Sequence, residues 1–141
     1  MTFLNELFNL KNKNIVLTGS AGRLGNKFAH VLSNAGANVI LLDINTSENK
    51  KLEQELTSLY KTNPTAYTID INKPNKMKQL TKKLISKYST IDILINNAHS
   101  VPRKHPKLSE SFEKFPNDIW EIMVTETLRG LFFCTKEIGS V

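Results

Sequence analysis

The sequence predicts an α/β fold built on a parallel sheet, and three observations predict it. Short apolar runs alternate with longer stretches of helical periodicity through the 141 residues, the alternation that βαβ units produce. Three glycines, Gly19, Gly22 and Gly25, follow the first apolar run and open the first helical stretch. The second run, Asn38-Val39-Ile40-Leu41-Leu42, ends at Asp43, eighteen residues after Gly25. Strand, glycine-rich turn, helix and then an acid at the end of the next strand form the pattern of a nucleotide-binding, Rossmann-type sheet. The glycines let the backbone turn sharply and approach a pyrophosphate closely. The helix aims unpaired N–H groups and its positive dipole end at that anion. A glycine triplet alone equally suits an ordinary tight βα turn; the addition of Asp43, placed to bind a ribose hydroxyl, favours nucleotide binding.

The elements follow in order. Ile15-Val16-Leu17 is long enough for a buried parallel strand, closed by Thr18 and Gly19. Leu24, Phe28, Val31 and Leu32 recur at helical spacing and are expected to face the core, with Gly36 as the C-terminal glycine. Ile44-Asn45-Thr46-Ser47 is a turn offering two N-caps. The next helix carries Leu52, Leu56, Leu59 and Tyr60 on one face until Asn63-Pro64 breaks it. Ala66 to Ile69 is the third strand. Asp70 at its end suits a helix N-cap as well as a ligand contact, since Pro74 marks a helix start nearby.

Met77, Leu80, Leu84, Ile85 and Tyr88 mark the third helix, with lysines opposite; Ile91 to Ile95 is the fourth strand, closed by Asn96-Asn97-Ala98. Val101 to Pro116, with its prolines and lysines, reads as a loop, expected to be mobile until something binds. Asn117-Asp118-Ile119-Trp120 starts the last helix. Asp118 is its first-turn acid, and Trp120, Met123, Val124, Leu128, Leu131, Phe132 and Cys134 give it a broad apolar face. A strand order of 3-2-1-4 puts the switch point between strands 1 and 4, where Gly19 and Asn97 end their strands. A cofactor is expected across those ends.

LKNKNIVLTGSAGRLG, Leu10 to Gly25, resembles the opening of the short-chain dehydrogenase/reductase family, which commonly begins with a similar leader, a strand and TG. The spacing TGxxGxxG is closer to that family's extended branch than to the commoner TGxxxGxG, in which Arg23 would stand at the second glycine. Asp70-Ile71 and IDILINNA, ending at Ala98, match further, so the likeness runs from about Phe8 to Gly139. The resemblance implies an oxidoreductase that moves hydride between a nicotinamide and a hydroxyl or carbonyl substrate. It implies NAD as the cofactor, with NADP possible: Asp43 would repel a 2′-phosphate, while a basic residue such as Arg23 in the glycine loop often accompanies NADP use. Gly19, Gly22, Arg23, Leu24 and Gly25 would surround the pyrophosphate. Asp70 would accept from the adenine amine and Ile71 would offer a backbone group. Asn97 and Ala98 would lie at the nicotinamide-side ribose, and His99 replaces the glycine of the family's NNAG. Aligning Gly130 with the family's NLxG puts Thr127 at the place of a catalytic asparagine, whose backbone carbonyl holds a water in the proton relay.

The family's other working residues, a serine and the tyrosine and lysine of YxxxK, have no counterpart in these 141 residues; Tyr60 precedes Lys61 and Tyr67 precedes Thr68, neither in that spacing. In relatives the tyrosine supplies the proton, the lysine lowers its pKa and the serine orients the substrate oxygen. The expectation is a single NAD(P)-binding domain over residues 1–141, a Rossmann-type doubly wound sheet truncated to strands 1–4. The catalytic part is missing, the chain is inactive as it stands, and strand 4, lacking a neighbour, promotes self-association. The alternative is a non-catalytic dinucleotide-binding or interaction protein using the same half-fold. GANVILLDIN and the LG after Arg23 resemble bacterial members acting on sugars for surface glycans.

Composition narrows the classes. The chain is 40% hydrophobic and 23% charged, with net charge +6 from 19 basic and 13 acidic residues. The lysines are spread over several helices as solvated faces with no accompanying nucleic-acid motif, so no nucleic-acid partner is expected. One cysteine, Cys134, excludes an internal disulfide and suits a cytoplasmic location; its apolar neighbours mark a buried thiol rather than a nucleophile. No apolar run is long enough for a membrane span. Phe3, Leu4, Leu7 and Phe8 suggest a short amphipathic segment covering one end of the sheet. His30, His99 and His105 lack metal-ligand spacing, so no metal is expected.

Overall fold

A computed structural model describes residues 8–101 and 105–140. Its strands are β1 (Asn14–Thr18), β2 (Asn38–Asp43), β3 (Thr65–Thr68) and β4 (Ile93–Ile95). Its helices are α1 (Arg23–Asn34), α2 (Thr46–Leu59), α3 (Pro74–Tyr88) and α4 (Asn117–Ile138). The strands form one parallel sheet in the order β3-β2-β1-β4, as the sequence predicts. Side chains alternate across it. Ile15, Leu17, Val39 and Leu41 join Ala29 of α1 and Leu52 and Leu56 of α2 in one core. Val16, Ile40 and Leu42 join Met77, Leu80 and Leu84 of α3 and Cys134 and Ile138 of α4 in the other. Helices on both faces explain why these strands are apolar at every position instead of every second one.

Four expectations need correction. On α1 the buried residues are Gly25, Ala29 and Ser33, while Leu24, Phe28 and Val31 are 61%, 42% and 67% exposed. The cause is Gly25, which brings the helix so close to the β1 turn that only small side chains fit between helix and sheet. Leu59 of α2 is likewise exposed. On α4 the apolar residues divide between two sides: Ile119, Gly130, Cys134 and Ile138 are buried, whereas Trp120, Leu128, Leu131 and Phe132 are exposed. Asp70 does not cap α3, whose N-cap is Lys73; its carboxylate instead accepts the Asn72 N–H at 2.9 Å. The cap of α2 is Asn45, inside the turn expected to supply one, and it accepts from the Glu48 N–H at 3.2 Å.

Other boundaries shift slightly. β4 begins at Ile93, because Asp92 turns its carboxylate to Lys13 Nζ and the Asn14 N–H, both at 2.8 Å. The Lys13 ammonium, and then that N–H, hold the Asp92 carboxyl below its ordinary value. α1 ends in a Schellman arrangement: Gly36, at φ +94°, donates to Ser33 O and Ala37 donates to Leu32 O. Within the expected loop, Phe112–Lys114 forms a 3-10 turn. Burial pushes the Cys134 thiol up to about 12, which leaves it protonated and unreactive at neutral pH. The amphipathic N-terminal segment lies outside the described residues except for Phe8, which is exposed. Among the described residues no helix is long and apolar enough to cross a membrane.

Candidate functional site

The C-terminal ends of β1, β2 and β4 meet at the glycine-rich turn. Thr18 is buried at the end of β1, and its hydroxyl lies between strands. It donates to Ile95 O at 3.3 Å and accepts the N–H groups of Asn97 and Ala98, each at 3.0 Å. The Asn97 amide donates back to Thr18 O at 3.0 Å and Gly19 O at 3.1 Å. Gly19 follows with φ +65°, and a Cβ there would stand 2.9 Å from Ala98 Cα. The crossing point of β1 and β4 is therefore fixed by side chains as well as by the ladder. Thr18→Val keeps the shape but strands the Ala98 N–H and leaves the Asn97 N–H only Ile95 O, at 3.1 Å, so it is expected to cost about 2 kcal/mol. Urea unfolding checks this; a loss below about 0.5 kcal/mol would show that water replaces the hydroxyl.

The turn itself is drawn tight. Gly22 donates to Gly19 O at 3.1 Å and serves as the N-cap of α1 with no side-chain capping bond. The N–H groups of Arg23, Leu24 and Gly25 are those a first helical turn leaves without internal acceptors. A Cβ on Gly25 would lie 2.0 Å from Gly19 O, so only glycine lets the helix start this near the strand end. Asp43 closes the other side. Its carboxylate accepts the Ala21 N–H at 2.9 Å and the Asn45 N–H at 2.8 Å, binding the turn to the end of β2. This assembly fits a dinucleotide: an uncapped helix start for a pyrophosphate, and beside it a half-buried carboxylate with lone pairs left for ribose hydroxyls.

The remaining candidates fall into two groups. Asp70 and Ile71 lie just past β3, next to Ile69, whose N–H donates to Asp43 O at 2.9 Å. Ile71 also packs on α4, where a Cβ at Gly130 would come within 2.6 Å of its Cδ1. Thr127, on α4, accepts the Ser100 N–H at 3.1 Å, and the Ser100 hydroxyl bonds Glu126. Thr127 and Ser100, with His99, Val101, Trp120, Met123, Val124 and Leu128, line an open groove of about 420 Å³. Sequence reasoning overlooked Ser100 and Glu126, which lack any motif, and the hydroxyl of Thr18, which the TG pair does signal. His30 stands apart, between α1 and α2, bonded to the Tyr60 hydroxyl at 3.2 Å and 3.4 Å from Glu55.

The fold and this turn define a Rossmann-type nucleotide-binding protein. The family described as short chain dehydrogenase matches residues 13–140, and the chain belongs to that family. A short chain dehydrogenase/reductase, dpmpG, from Macrophomina phaseolina is 30% identical over 93% of this chain and 72% of its own length. The 2-dehydro-3-deoxy-D-gluconate 5-dehydrogenase of Bacillus subtilis is 32% identical over 99% of this chain. This chain spans 51% of that enzyme, about half. In structure, an oxidoreductase from Haemophilus influenza with bound NAD superposes with a TM-score of 0.80 at 24% identity, over 97% of this chain and 52% of its own.

Proposed function

We propose that this chain is the cofactor-binding portion of an NAD-dependent oxidoreductase acting on a hydroxyl or carbonyl carbon of a sugar acid or related polyol. The observation that carries the reading is the Asp43 carboxylate bound to the Ala21 N–H beside an uncapped helix start. A bound nicotinamide would supply or accept the hydride. The chain's own residues would hold the rest: the first-turn N–H groups of α1 the pyrophosphate, Asp43 the adenosine ribose, Asp70 and Ile71 the adenine. Asn97 and Ala98 brace the strand ends toward the groove, where His99 and Thr127 lie. The substrate class rests on the Bacillus subtilis relative, whose name specifies a gluconate derivative.

Asp43 sets the cofactor preference. A carboxylate that accepts from ribose hydroxyls repels a 2′-phosphate in the same place, whereas Arg23 is an exposed cation at the helix start and draws a phosphate. Asp43 prevails because the turn's own N–H holds it in position. Calorimetric titration is expected to give NADH an affinity at least about tenfold above that of NADPH, narrowed or reversed by Asp43→Asn. Tighter NADPH binding by the unmodified chain would contradict this assignment.

A further inference from the structure

Asn49 is a polar residue at 1% exposure in a helix face otherwise made of Leu52 and Leu56. Burying an amide is costly unless its groups are paired, and here they are paired to three separate parts of the fold. Its Oδ1 accepts the hydroxyl of Ser20, itself fully buried, at 2.7 Å. Its Nδ2 donates to Leu41 O of β2 at 3.1 Å and to Tyr67 O of β3 at 3.2 Å. Two carbonyls can only accept, so the amide orientation is fixed, and the Ser20 proton is committed inward.

Ser20 immediately precedes Ala21, whose N–H holds Asp43, and Gly22, which starts α1. One buried amide thus ties the glycine turn to the end of β2 and to its neighbour β3. We propose that Asn49 is a positioning residue, setting the distance between the pyrophosphate turn and the Asp43 carboxylate so that both engage one dinucleotide. This inference rests on the functional reading above. Asn49 itself has no surface with which to touch a ligand; it acts through Ser20.

The test compares Ser20→Ala, which cuts the turn loose while leaving Asn49 its two carbonyls, in the unmodified and the Asp43→Ala backgrounds. If Asn49 sets a spacing, Ser20→Ala weakens NADH binding about tenfold in the first background and less than about twofold in the second, because the spacing matters only while Asp43 is present. A purely structural role gives the same factor in both, which would overturn the proposal. Hydrogen exchange at the Ala21 amide, read without cofactor, is expected to quicken in Ser20→Ala. Unchanged exchange in a chain that binds NADH also overturns it. Failure of the unmodified chain to bind NADH, with Ala21 exchange still quickened, refutes the functional reading and keeps the brace.

Discussion

Gly25→Ala is expected to abolish dinucleotide binding and to destabilise the fold, although it adds one methyl group. The new Cβ would sit 2.0 Å from Gly19 O and 2.9 Å from Ser20 Cα. Both neighbours are backbone, so neither turns aside as a side chain would. The helix start must withdraw from the strand end, taking the N–H groups of Arg23 and Leu24 with it. Overpacking of this kind costs about 3 kcal/mol, and a displacement of roughly 1 Å in binding groups costs on the order of 100-fold. Gly22→Ala is the control: its φ of −73° suits any residue, and its Cβ would meet only Gly19 O, at 3.1 Å. It is expected to cost less than about 1 kcal/mol. Equal unfolding midpoints for the two variants would contradict the turn geometry.

The second large effect is an absence of turnover. Reduction of a carbonyl makes an alkoxide that must be protonated as its charge develops, and acid/base assistance contributes about 10²–10⁴-fold. The 141 residues contain no YxxxK, and Thr127 is bonded to the Ser100 N–H instead of standing free. His99 is exposed on the groove. The purified chain is therefore expected to show no oxidation of NADH with keto-sugar acids or simple ketones, followed by absorbance of the reduced nicotinamide. Saturable turnover lost in His99→Ala would make this imidazole the proton donor and contradict the expectation. Turnover untouched by that change would indicate a contaminating enzyme.

Strand order and the phosphate turn were legible because their signals are local and obligatory. Ile15-Val16-Leu17 and Val39 to Leu42 must be apolar throughout when helices cover both faces, and Gly19 and Gly25 occupy places that a Cβ would block. Helix orientation was not legible. The period of Leu24, Phe28 and Val31 is as regular as that of a core face, yet backbone proximity at Gly25 turned the small residues inward. The apolar surplus of α4 also spreads over two sides, which a single strip of sequence does not separate. Asn49 was invisible for the opposite reason: an asparagine between Glu48 and Lys50 in a charged helix reads as surface, and only its three partners from other elements mark it as interior. Asp70 kept its place beside β3 but lost the expected cap, because its carboxylate closes an Asx turn onto the Asn72 N–H before α3 begins.

The central claim, that the ends of β1, β2 and β3 and the start of α1 form a dinucleotide site, is tested most directly by amide NMR shifts during NAD titration. The account predicts saturable shifts at Gly22, Arg23, Leu24, Asp43 and Ile71, with the opposite end of the sheet, at Lys11, Asn38 and Asn63, unmoved. Shifts confined to that opposite end, or no saturable shift at Gly22 to Leu24, would contradict it.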